Sequence, residues 1–285
     1  MSPVTRLLSE KALRYTSLAA IILSTGLAVF VFYSIGRESL AFFTQQGPLA
    51  FFHGDRWAPT QGQYNLTPML LGTLYATLLG LLLSTPAGIG LGAFSVFYAP
   101  PALAKLLRVS LGLLAGLPSV VFGLFGLSVI VPRILRYQQP GVSLLAGALV
   151  LALMTLPTIA ALSEAAFRQV DKAPISGAYA LGLSRRAAVF GVALRAAKAP
   201  LFGAVLLAIG RALGEAMAVL MVMGNVSLTP TSIFAPARTL TMTIASEMDE
   251  ASGLHRAALF GAGFILLSGI GALTMLIPGR GRNAQ

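Results

Sequence analysis

Cysteine is absent from the 285 residues, so no disulfide framework, thiolate nucleophile or cysteine-ligated metal is available. Histidine occurs only at His53 and His255, too far apart in sequence to offer a metal-ligand spacing. Charge is scarce: Asp, Glu, Lys and Arg make up 10% of the chain, against about 25% in soluble globular domains. No GxxxxGK[ST] loop is present to cradle ATP phosphates, and no GxSxG, HExxH or CxxC occurs. Glycine pairs are common, but none has the strand–GxGxxG–helix setting of a dinucleotide site. Intramembrane proteolysis would need polar catalytic groups on two apolar runs, and only one run carries charge. These absences argue against an enzyme, and neither a cofactor nor a metal is expected.

What is present is apolar. Hydrophobic residues make up 56% of the chain and the mean hydropathy is +0.82, so lipid rather than water is its main solvent. The runs predict an all-α integral membrane protein, one domain over 1–285, with six spans at about 15–36, 68–97, 109–132, 142–163, 201–225 and 257–277. The first run follows a basic segment (Arg6, Lys11, Arg14) and ends at Ser34-Ile35-Gly36, as a cleaved signal peptide would. Its length and the five later spans favour an uncleaved helix. Between the first two spans, Phe pairs and Trp57 suit either a segment anchored at the membrane–water boundary or a small cap on the helices. Pro86, Pro118 and Pro157 fall inside three consecutive spans and should bend them, because proline removes an i→i−4 hydrogen bond.

The net charge of +11 raises the possibility of nucleic acid, but its placement excludes it. Six spans put both termini on one side. That side holds thirteen Lys and Arg with three acids, and the other holds six Arg with five acids. The asymmetry follows the positive-inside rule and predicts cytoplasmic termini in a multi-pass membrane protein.

The fifth run, Leu201 to Asn225, carries Arg211 and Glu215 near its middle. An ionisable group at that depth costs about 2.5–3.5 kcal/mol or more. Four residues apart on one helix they share a face, and Gly210 and Gly214 give GxxxG spacing beside them. The pair reads either as a structural ion pair between packed helices or as a polar spot on a transport path. Arg before Glu is the weaker helix-stabilising order, which favours transport. Pro118 and Ser119 are candidates for backbone and hydroxyl groups freed at a kink on the same path. The 164–199 segment is basic, reads as short amphipathic helices and is punctuated by Gly177 and Gly182.

AIGRALGEAMAVLMVMGN in the fifth run closely resembles the permease subunits of phosphate-specific ABC transporters, the PstC type. TLYATLLGLLLSTPAGIGLGAF, LLAGLPSVVFGLFG, ALMTLPTIAALSEAAFRQV and FAPARTLTMTIASEMDEASGLHRAALF are similar to that family in the same order, along nearly the whole chain. The resemblance implies a type I ABC importer permease fold and a non-catalytic subunit. It also implies a second, PstA-like permease, PstB-like cytoplasmic ATPases that drive transport, and a PstS-like external phosphate-binding protein. The family's coupling motif would fall on Ala178, Leu181 and Gly182. Gly182 matches, whereas the motif's glutamate and its final proline (Arg195 here) do not. Permeases for sulfate, molybdate or tungstate face the same anion problem. A secondary anion transporter or channel without ATPase partners would also use intramembrane Arg and Glu, but the long basic segment and the lack of an inverted repeat disfavour it.

Overall fold

The computed structural model describes residues 3–47, 49–54 and 56–275, with side chains from residue 13 onward. The basic tail with Arg280 and Arg282, and the last two residues of the expected sixth span, lie outside the described residues.

The chain is almost entirely helical. Helix α1 is Pro3–Gln46, α2 Thr67–Phe97, α3 Pro101–Gly116, α4 Ser119–Leu135 (with a π-helical stretch at Gly126–Ile130) and α5 Leu144–Arg168. Helix α6 is Lys172–Ala180, α7 Arg185–Ala196, α8 Lys198–Leu213, α9 Met217–Leu220, α10 Leu240–Glu247 and α11 Gly253–Met275. Among the described residues four helices are long and apolar enough to cross a membrane singly: α1, α2, α5 and α11. The bent pairs α3–α4 and α7–α8 bring the number to six if each pair is one span.

Helices α2 and α5 form the centre. Small residues recur every fourth position along α2 (Gly72, Ala76, Gly80, Ser84, Gly88, Gly92), and all six are buried. Such a stripe lets two helix backbones approach closely where lipid supplies no hydrophobic drive. A Cβ on Gly88 would lie 2.7 Å from Ile159 Cγ2, and one on Gly92 would lie 2.8 Å from Glu164 N. Thr155 Oγ1 donates to Ser84 Oγ across the same seam at 2.9 Å. Gly92→Val should therefore cost about 1–3 kcal/mol by overpacking. Gly90→Val, where a Cβ meets open space, should leave the melting temperature of the detergent-solubilised protein unchanged.

The three internal prolines behave differently. Helix runs through Pro86 and Pro157 without interruption, with Pro157 buried and Pro86 on the exposed face of α2. At Pro118 the chain breaks. Leu117 is extended (φ −69°, ψ 138°), the conformation a following proline imposes, and α3 and α4 meet at 96°. Helix α3 packs mainly against α5 and α2 and is largely exposed along its length.

Contacts define two ends. The first end holds a two-stranded ribbon, β1 Trp57–Ala58 and β2 Gln63–Tyr64, paired antiparallel. It packs with α10 and the start of α11 around buried Phe42, Phe51, Trp57, Tyr64 and Leu240. Phe42 and Phe51 stack with centroids 4.3 Å apart. Of the two readings of this aromatic segment, the cap is the one realised, and α1 extends past Arg37 to Gln46 to build it. The second end holds the α2–α3 turn, the C-terminus of α5, and α6 to α8. Arg185 lies 5.0 Å over the Tyr98 ring there.

Candidate functional site

The fifth run is not one helix. Helix α8 stops at Leu213, Gly214 to Ala216 are non-helical, and α9 resumes for a single turn at Met217–Leu220. The expected continuous helix over 201–225 is corrected accordingly: Gly214 follows the last helical residue, where glycine ends helices, and Glu215 starts the next turn.

The break separates the charge pair. Glu215 Oε1 accepts the Ala218 N–H at 3.0 Å, so the carboxylate serves the positive N-terminal end of α9. Among the described residues no ion pair joins Glu215 to Arg211. An i,i+4 contact requires an unbroken helix, and there is none across Gly214. Arg211 instead occupies the last turn of α8 with an exposed side chain. A cation is favourable there because the helix C-terminus is negative. It lies about 20 Å along the helix from Lys198, at 1.5 Å per residue.

The second break faces the first. Pro118 is exposed and Ser119 is half-buried at the start of α4. Four residues on, Gly123 approaches α9 so closely that a Cβ would lie 2.7 Å from Met221 Sδ and 3.0 Å from Ala218 Cα. Gly123 and Ala218 therefore pack against each other, four residues beyond Ser119 and three beyond Glu215. Unpaired backbone in a bilayer is tolerated only against protein or a water-filled cavity. Arg211 carries an unpaired guanidinium beside the Gly214 break.

The first-end segment reaches back to this level. Residues Ala237 to Thr243 are buried, so the stretch read from sequence as a loop is folded into the bundle. Thr241 Oγ1 donates to the Glu215 carbonyl at 2.6 Å, and Leu240 N–H donates to Thr73 Oγ1 at 3.0 Å. Glycine at position 72 is required because the Arg238 carbonyl lies where a Cβ would be.

Sequence reasoning missed the polar hub that anchors this segment. Glu247 pairs with Arg238 Nη1 at 2.6 Å and accepts the Trp57 Nε1–H at 2.8 Å. His255 Nε2 lies 2.9 Å from the same carboxylate oxygen. Arg238 also donates to Ser227 and Ser246. Burial opposes ionisation of Glu247, but Trp57, Arg238 and His255 together outweigh it and hold the carboxyl below its ordinary range. The only signal available was one arginine among three acids in an apolar chain.

At the second end, Glu164 is buried and accepts from Arg108 at 2.7 Å and Arg168 at 2.8 Å. The Arg168 contact was legible as an i,i+4 pair, whereas Arg108 comes from α3, 56 residues away. Of the residues matched to the coupling motif, Ala178 is buried in α6, Leu181 is 82% exposed, and Gly182 turns the chain with φ +78°. They form one short turn, remote in sequence from Arg211, Glu215, Pro118 and Ser119.

Comparison with known proteins follows this geometry. Residues 84–277 match the family model "Binding-protein-dependent transport system inner membrane component". The chain is 36% identical over 260 residues (88% of this chain, 84% of the relative) to the Bacillus subtilis protein named "Probable ABC transporter permease protein YqgH". It is 33% identical over 267 residues (84% and 83%) to the Pasteurella multocida "Phosphate transport system permease protein PstC". Among solved structures, a bacterial ABC transporter involved in import of the acidic polysaccharide alginate matches with a TM-score of 0.64. That match has 14% identity and covers 95% of this chain and 96% of that one, which establishes a shared fold. With the family model over most of the chain and relatives above 30% identity, the chain belongs to the binding-protein-dependent transport system inner-membrane components, the membrane-spanning permeases of ABC importers.

Proposed function

We propose that this chain is a membrane subunit that imports inorganic phosphate, with Arg211 as the charged point of the path. The observation that carries the reading is the exposed, unpaired Arg211 in the last turn of α8, next to the helix break at Gly214–Ala216. A guanidinium gives a phosphate two parallel charge-assisted hydrogen bonds, replacing part of the hydration the anion loses. The non-helical Glu215 and the Pro118–Ser119 turn are the further candidates for this path. Relatives named as phosphate transport permeases support the choice of anion.

In this reading the chain is one membrane domain with cytoplasmic termini, and it catalyses no reaction itself. Segment 164–199 docks onto a PstB-like ATPase, with Leu181 presented by the left-handed turn at Gly182 and Ala178 packed behind it. A PstA-like permease covers the face that bears Arg211. A PstS-like binding protein delivers phosphate to the first end. That delivery has an electrostatic reason, since Asp249 and Glu250 are exposed there and would repel a free anion.

Uptake into vesicles carrying the assembled transporter tests the reading. Phosphate uptake should require ATP and the binding protein. Excess sulfate, molybdate or tungstate should leave it unchanged. Inhibition by one of those anions, with uptake of that anion, would reassign the substrate. Uptake without any ATPase would replace the importer with a secondary transporter.

A further inference from the structure

At the bend between α7 and α8 a groove of about 580 Å³ opens between the first turns of α8 and Ile89 of α2. Leu194, Leu201, Phe202 and Val205 complete its apolar walls. Arg195 and Lys198 stand on its rim, one on each side of the 71° turn at Ala197. Among the described residues neither cation has an ion-pair partner. Two described acids of this end are engaged elsewhere: Glu164 holds Arg108 and Arg168, and Asp171 accepts the Ala173 N–H at the start of α6.

An apolar slot beside two unneutralised cations, at the boundary of a membrane-spanning helix, matches one kind of molecule: an amphiphile with an anionic head. We propose that this groove binds an anionic phospholipid. The phosphate lies between Arg195 and Lys198, and an acyl chain runs along Phe202 and Val205 against Ile89. Charge decides against the other occupants. The final residues 276–285 carry two arginines and no acid, so like charge would oppose their entry. An apolar helix of a second membrane subunit would fill the slot but offer no negative charge to the two cations, whereas an anionic headgroup at the membrane surface does. A lipid held here would brace the joint between the basic segment and the fifth span. The site stands whichever anion the protein carries.

Native mass spectrometry of the full-length protein, with the subunits that purify alongside it, tests this with phosphatidylglycerol and phosphatidylcholine as probes. Phosphatidylglycerol should be retained preferentially. Arg195→Gln with Lys198→Gln should lower its affinity about fivefold per cation and leave phosphatidylcholine unchanged. Both cations are exposed, and substitutions there rarely disturb folding. Val205→Trp, which fills the slot and keeps both charges, should displace the lipid independently. A photoreactive acyl-chain phosphatidylglycerol should label the 194–205 stretch. Equal retention by wild type and both variants, or labelling confined elsewhere, overturns the proposal. So does cross-linking of Phe202→Cys to a second membrane subunit through this groove.

Discussion

Replacing Arg211 by alanine should lower phosphate uptake by about a hundredfold or more, the loss of two hydrogen bonds to a charged group in a desolvated site. The membrane abundance of the protein and its recovery with partner subunits should not change. Both halves follow from one fact: the side chain is exposed on α8 and holds no other residue in place. Arg211→Lys should recover part of the rate, since it restores the charge but not the planar fork. Glu215→Gln separates the two readings of the original charge pair. The amide oxygen still accepts the Ala218 N–H, so α9 keeps its start, and only the negative charge beside the path is lost. If Arg211→Ala instead abolished assembly, the residue would be a packing element of the subunit interface.

The apolar runs, the charge asymmetry and the uniqueness of Arg211 and Glu215 were readable because bilayer thickness and the cost of buried charge act on local sequence. The breaks were only half readable. Proline marked three candidate positions, and one of them is a break. What distinguishes Pro118 from Pro86 and Pro157 is not local: those two sit within the two helices that pack along the glycine-lined seam, Pro157 buried and Pro86 on the exposed face of α2. The break at Gly214 had a local signature, glycine followed by an acid, but it was masked by the apolar continuity of Leu201 to Asn225. The inward fold of Ala237 to Thr243 had none. It depends on Gly72 leaving room for the Arg238 carbonyl, a contact between residues 166 positions apart. Glu247 was missed for the same reason, because its partners come from the ribbon, the first-end segment and α11.

That hub should dominate the stability of the first end. Glu247→Ala leaves the Arg238 guanidinium, 7% exposed, without its counter-charge. Removing one partner of a buried pair costs about 3–5 kcal/mol. Trp57 and His255 lose an acceptor at the same time. Replacing both members by apolar residues, Arg238→Met with Glu247→Leu, should recover much of the loss, because no charge is then left buried alone. The sign of the pH dependence follows from the lowered carboxyl. A group that ionises more readily folded than unfolded stabilises the fold above its unfolded value, about 4.3 for glutamate. That stability is present at neutral pH and is lost as pH falls through the lower folded value. In wild type the Val226–Ser252 stretch should therefore become open to acid-tolerant proteolysis as pH is lowered below about 4. Glu247→Gln should be susceptible across the range, with that acid step removed. Protection independent of pH in both proteins would mean that packing of Trp57 and Leu240, and not the carboxylate, holds the segment down. Because α10 carries Thr241 to the Glu215 carbonyl, loosening the hub should also release the acceptor at the break beside Arg211. Glu247→Ala is therefore expected to slow uptake although its side chain lies outside the path.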